Sequence, residues 1–148
     1  MAQRKQGVSP ELDELSSTLV GDALDMLAEG EDVNVLLVVE DNLRNVASYV
    51  FSDDGAEALL EGAYQRVKDL ARKKGDREAG LGEPQRYALV YEGAIEDEDG
   101  SFVDALLLEF GERGWQAYSA YSLYQGKGLG DEFAWTDPAP AGEMDCLL

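Results

Sequence analysis

Two segments in the first half of the chain repeat apolar residues at helical spacing. Over "SPELDELSSTLVGDALDMLAEGED", Leu12, Leu15, Leu19, Val20, Ala23, Met26 and Leu27 fall on one stripe. Ser9 suits the N-cap and Pro10 the first helical position, with Glu11, Asp13 and Glu14 against the positive end of the dipole. Gly30 is the expected stop. Ser52 is the expected cap of a second helix, "DDGAEALLEGAYQRVKDLARKKG", whose stripe is Ala56, Leu59, Leu60, Ala63, Val67, Leu70 and Ala71. Between them, "VNVLLVVE" (33–40) and "NVASYVFS" (45–52) are short and rich in Val, Tyr and Phe, and "DNLR" reads as a turn, so a hairpin is predicted.

The second half reads as a meander: "RYALVYEGAIE" (86–96), "SFVDALLLEF" (101–110) and "WQAYSAYSLYQ" (115–125), joined by "DEDG" and "GERG". The expected fold is a single α+β domain in the order α-β-β-α-β-β-β, a mostly antiparallel sheet with two helices packed on one face. Residues 1–8 are expected to be a disordered lead, 9–125 the domain, and 126–148 an irregular tail with one short strand near Glu132–Trp135.

The four-residue connections imply a register. Glu96 opposite Ser101 and Phe110 opposite Trp115 would gather Tyr87, Leu89, Tyr91, Ile95, Phe102, Leu106, Leu108, Phe110, Trp115 and Leu123 on the helix side. Asp104 would interrupt that face, with Gly93 on one side, Tyr121 on the other and Ser119 diagonal to it. A carboxylate among apolar side chains needs donors or a raised pKa, so Asp104, Tyr121, Ser119 and Gly93 form a candidate ligand site, or a polar residue satisfied at the edge of burial. The opposite face would carry Val90, Leu107, Tyr118 and Tyr124. It is too apolar for open solvent, and either a second subunit or the tail's Phe133, Trp135, Leu147 and Leu148 would cover it.

"VLLVVEDN" (35–42) and "DGAEAL" (54–59) resemble pieces of a two-component receiver domain, in which an apolar strand leads into an acidic magnesium pocket. The element order departs from that family. A turn and a second strand follow the first run, and no later apolar strand ends in Asp. Glu40, Asp41, Asp53 and Asp54 are left either as oxygen ligands for a divalent cation or as turn and cap carboxylates.

Charge narrows the function classes. The chain has 148 residues with 31 carboxylates, 12 Lys or Arg and no His, a net charge of −19. Clustered cations for phosphate contacts are lacking, so direct nucleic-acid binding is disfavoured. Half of the cations lie in 66–77, where they match the negative end of the second helix. Without His there is no Ser-His or Cys-His pair and no ordinary zinc set. "GKGLG" (126–130) follows a strand but opens no helix, so a phosphate cradle is not expected. No cofactor is expected. No apolar run spans a bilayer, and the N-terminus shows no secretory pattern, so a cytoplasmic location is expected. Size and acidity are similar to those of secretion chaperones and toxin-immunity proteins. The expected function is a non-enzymatic interaction module for a basic protein partner, with a homodimer as an option. The alternative is a small-molecule or metal-binding domain at Asp104/Tyr121, an enzyme in one version, and a nucleic-acid mimic is the minor one.

Overall fold

The computed structural model describes residues 5–51 and 56–148. The helices are α1 (Pro10–Ala28) and α2 (Ala56–Lys73). The strands are β1 (Val35–Asp41), β2 (Val46–Phe51), β3 (Pro84–Glu96), β4 (Phe102–Glu112), β5 (Ala117–Gln125), β6 (Ala134–Trp135) and β7 (Ala139–Met144). The α+β class, the order of the first seven elements and the antiparallel sheet agree with the sequence reading. Every ladder is antiparallel, in the order β2-β1-β3-β4-β5, with β6 and β7 both pairing to β5.

The helices pack against the sheet, but on opposite faces rather than on one. Leu19, Val20, Ala23, Leu24 and Leu27 of α1 meet Ala88, Val90, Leu106 and Leu108. Leu59, Ala63, Val67 and Leu70 of α2 meet Val35, Leu37, Val39, Tyr87 and Leu89. Because successive strand residues point to opposite faces, 88 and 90 belong to α1 while 87 and 89 belong to α2. The near-continuous apolar runs of β1, β3 and β4 are what burial on both faces requires.

The β3–β4 register lies one residue from the expected one. Glu96 pairs with Phe102, not Ser101. The cause is Asp97, whose Oδ1 accepts from Ser101 N at 3.0 Å and Asp99 N at 3.2 Å, so the loop takes five residues rather than four. The β4–β5 ladder differs as well: Phe110 pairs with Tyr118, not Trp115. Here β4 continues to Glu112, and Lys5 lies along the start of β5, with Lys5 N donating to Gly114 O and Gln116 N to Lys5 O. An odd slip turns every side chain to the other face. Each half of the expected apolar face is thereby dealt to a different helix.

The expected caps of α1 are present: Ser9 Oγ accepts from Leu12 N at 3.1 Å, with Pro10 at the start. The capping role of Ser52, and Asp53 and Asp54 with it, lies outside the described residues. The chain after Gly126 is more regular than expected, since β6 and β7 edge the sheet. Cys146, Leu147 and Leu148 then cross to the α2 side of the core.

Candidate functional site

The structure does not bring the four residues of the expected ligand site together. Asp104 is exposed, opposite Ala94 on the α1 face. Gly93, Ser119 and Tyr121 point to the other face. The space above Gly93 is filled by Leu107, whose Cδ1 would stand 2.7 Å from an added Cβ. The candidate interface residues are also divided. Val90 and Tyr124 are buried in the α1 core, Tyr118 is half-buried on the same face, and Leu107 is on the opposite one. Tyr118 accepts a hydrogen bond from Gly7 N at 2.9 Å. Of the tail residues expected to cover a face, Phe133 packs on Tyr124 and Leu147 and Leu148 join the α2 core, while Trp135 is exposed.

The acidic residues of "VLLVVEDN" are engaged in the fold. Glu40, Arg86 and Glu112 are direct neighbours across β1, β3 and β4. Arg86 Nη1 donates to Glu40 Oε1, and its Nε stands 3.3 Å from Glu112 Oε1, an ion pair without hydrogen-bond geometry. Glu112 also accepts from Ser9 Oγ, so the cap of α1 is fastened to the row. Asp41 is buried and accepts four bonds: from Leu43 N and Asn45 N at Oδ1, and from Asn45 Nδ2 and Gly82 N at Oδ2. Burial alone would raise its pKa; the donors reverse that and hold it below the usual value. Among the described residues no group of three potential ligands converges to hold a metal. Lys127 of "GKGLG" pairs with Asp32 at 2.7 Å and Glu92 at 2.9 Å.

The part of the surface that the fold leaves unfinished is the flank of α1. The helix sits over β3 and β4 and stops short of β2. Ala47, Tyr49 and Phe51 are covered on the α2 side, whereas Val46 and Val50 on the α1 side are 46% and 70% exposed. Leu43, in the turn, is 78% exposed. A groove of about 350 Å³ runs between α1 and the hairpin, floored by Leu15, Leu19, Val38 and Val46. Its charged lining is three carboxylates, Glu14, Asp22 and Glu40, against one guanidinium, Arg44. Arg44 is itself held by Glu14 at 3.2 Å and Glu40 at 2.9 Å.

Residues 10–28 carry five carboxylates and no Lys or Arg, so α1 forms an acidic ridge beside this groove. On its other flank lies a larger apolar groove of about 620 Å³, between α1 and β5 and β7, that includes Phe110, Tyr118 and Pro140. The two edges of the sheet differ. Beyond β5 the edge is made by the two-residue β6 and by β7, which contains Pro140 and follows Pro138. At the other end no strand among the described residues pairs with the outer side of β2, whose sequence VASYVF has neither Pro nor charge. An edge of that kind is open to pairing.

Sequence reasoning missed the α1–β2 groove because it assigned the helices to one face. The signal was present in "NVASYVFS", where Val46, Ser48 and Val50 alternate with Ala47, Tyr49 and Phe51. One set is covered by α2, and the other stays exposed among the described residues. Compared with known proteins, the chain matches no family model, no curated protein and no solved structure.

Proposed function

We propose that this protein is a non-enzymatic interaction module that takes an extended basic segment of a partner protein along β2, beside α1. The observation that carries the reading is the open, uncharged edge of β2 with its bare apolar face next to an acidic helix. Strand addition supplies affinity through main-chain hydrogen bonds. Alternate side chains of the added strand face the groove, where Lys or Arg would meet Glu14 and Asp22. No helix of the described residues is long and apolar enough to cross a membrane, and the −19 charge suits a cationic partner. A second copy meets the same edge, but two such chains repel one another, which favours the heterologous partner.

The test is fluorescence anisotropy with labelled twelve-residue peptides that alternate Val with Lys, Val with Glu, or Val with Ser. The Lys peptide is expected to bind, with affinity falling as salt rises from about 0.05 M to about 0.3 M. Val50→Lys, which places a charge on the edge, should abolish binding while leaving the thermal midpoint unchanged. Equal binding of all three peptides, no binding at low salt, or indifference to Val50→Lys would each refute the reading.

A further inference from the structure

Among the described residues three glutamates are buried: Glu40, Glu109 and Glu112. Two of them share Arg86. The third has no cation: among the described residues no Lys or Arg pairs with Glu109. It is 5% exposed and lies on the α2 face of β4. Its oxygens each accept one phenol hydroxyl, Oε1 from Tyr64 at 2.6 Å and Oε2 from Tyr91 at 2.7 Å. Both phenols are kept protonated, because burial first and the bonded carboxylate second push them far above their usual pKa. Two donors fill about half of the roughly four acceptor positions of a carboxylate.

The remaining capacity lies beside a cavity of about 210 Å³ bounded by Tyr64, Tyr87, Glu109, Met144, Asp145 and Leu147. Tyr87 lies across from Gly111, where an added Cβ would stand 2.8 Å from its ring, so the missing side chain leaves room for the aromatic wall. The chain end closes the other side, and Leu147 N donates to Tyr87 Oη at 3.3 Å. A buried carboxylate lacking a counter-ion among the described residues, the rings of Tyr64 and Tyr87 and the cover of Leu147 make a small chamber. Its volume is below the roughly 300–1,000 Å³ of sites for drug-sized ligands.

The structure assigns this chamber to a small organic ammonium ion of short-chain alkylamine size, its head against Glu109 and its chain between Tyr64, Tyr87 and Leu147. An ammonium carries three donors and no acceptor, the complement of a carboxylate with acceptor positions to spare. The phenol rings add cation–π attraction. The chamber is on the opposite face of the sheet from the α1–β2 groove, so it stands or falls independently of peptide binding there. A free amine and the lysine side chain of another protein share this chemistry.

Isothermal titration of the full chain with propylammonium chloride, at matched ionic strength, tests the assignment. Saturable one-to-one binding is expected, with 1-propanol at least about tenfold weaker for want of the charge. Glu109→Gln should keep the circular dichroism spectrum and lose at least about tenfold in affinity. Should that variant fail to fold, Leu147→Trp, which fills the chamber from its cover, must abolish binding. Nα-acetyl-lysine amide binding as tightly as propylammonium would point to a protein side chain as the source, and much weaker binding to a free amine. No saturable heat with propylammonium, equal binding of 1-propanol, or full affinity in either variant overturns the assignment.

Discussion

The guanidinium of Arg86 lies beside the carboxylate of Glu112 on the neighbouring strand, and both are buried beneath the first turn of α1. With Glu40 on the other side, one cation stands between two anions across three strands. Removing the cation leaves Glu112 without a counter-charge and Glu40 with the more exposed Arg44 alone. Arg86→Met is expected to destabilise the fold by about 3–5 kcal/mol, measured by urea denaturation. Arg86→Met combined with Glu40→Leu and Glu112→Leu should recover most of that loss, since an apolar row needs no counter-charge.

Asp41 predicts the acid limb of stability. Burial is the largest influence on its carboxyl, but the donors from Gly82, Asn45 and Leu43 outweigh it and depress the pKa below 3.8. A depressed carboxylate contributes stability that is present above its unfolded value and lost as pH falls through its folded one. Chemical denaturation at a series of pH values below about 4 should show this loss, and Asp41→Asn should flatten the limb. Asp41→Ala, which leaves buried N–H groups unpaired, is expected to cost about 3 kcal/mol at neutral pH.

The tyrosines predict the alkaline limb. Burial, then hydrogen bonding to Asp76, pushes Tyr49 up to about 12. Tyr64, Tyr91 and Tyr124 are pushed further, again chiefly by burial. A raised group contributes stability that is complete below its unfolded value of 10.0 and is lost as pH rises towards the folded one. Unfolding should therefore set in above pH 10, with tyrosinate absorbance appearing together with the loss of circular dichroism rather than before it.

Two glycines should respond in opposite directions to alanine. Gly21 is exposed in the middle of α1 with nothing within 4 Å of an added Cβ. Gly21→Ala should stabilise by about 0.5–1 kcal/mol. Gly75 ends α2 at φ +126°, where a Cβ would stand 2.3 Å from Leu81 O. Gly75→Ala should destabilise by at least about 2 kcal/mol, because both the backbone region and the contact forbid it. Thermal melts of the pair decide.

The helices, hairpin and meander were legible because their signals are local: the caps at Ser9 and Pro10, the stripe of α2, the alternation in β2. Register was not, because it turned on single side chains. Asp97 draws one more residue into its loop, and Glu112 extends β4 into the "GERG" connection to meet Arg86. Those small displacements separated Asp104 from Tyr121 and placed Glu109 on the α2 face, between the half-buried Tyr64 and Tyr91. Pairing of charges distant in sequence, such as Glu40 with Arg86, leaves no local periodicity to find.

The unequal edges of the sheet bear on stoichiometry. A sheet open at both sides can add strands without end, as fibres do. Here the two-residue β6 and the proline-bearing β7 blunt one side, and among the described residues β2 is the edge left open to pairing. Any association through β2 uses up the single vacant side, so growth stops after one step. Association through β2 would therefore end in a capped strand or a closed pair rather than a filament.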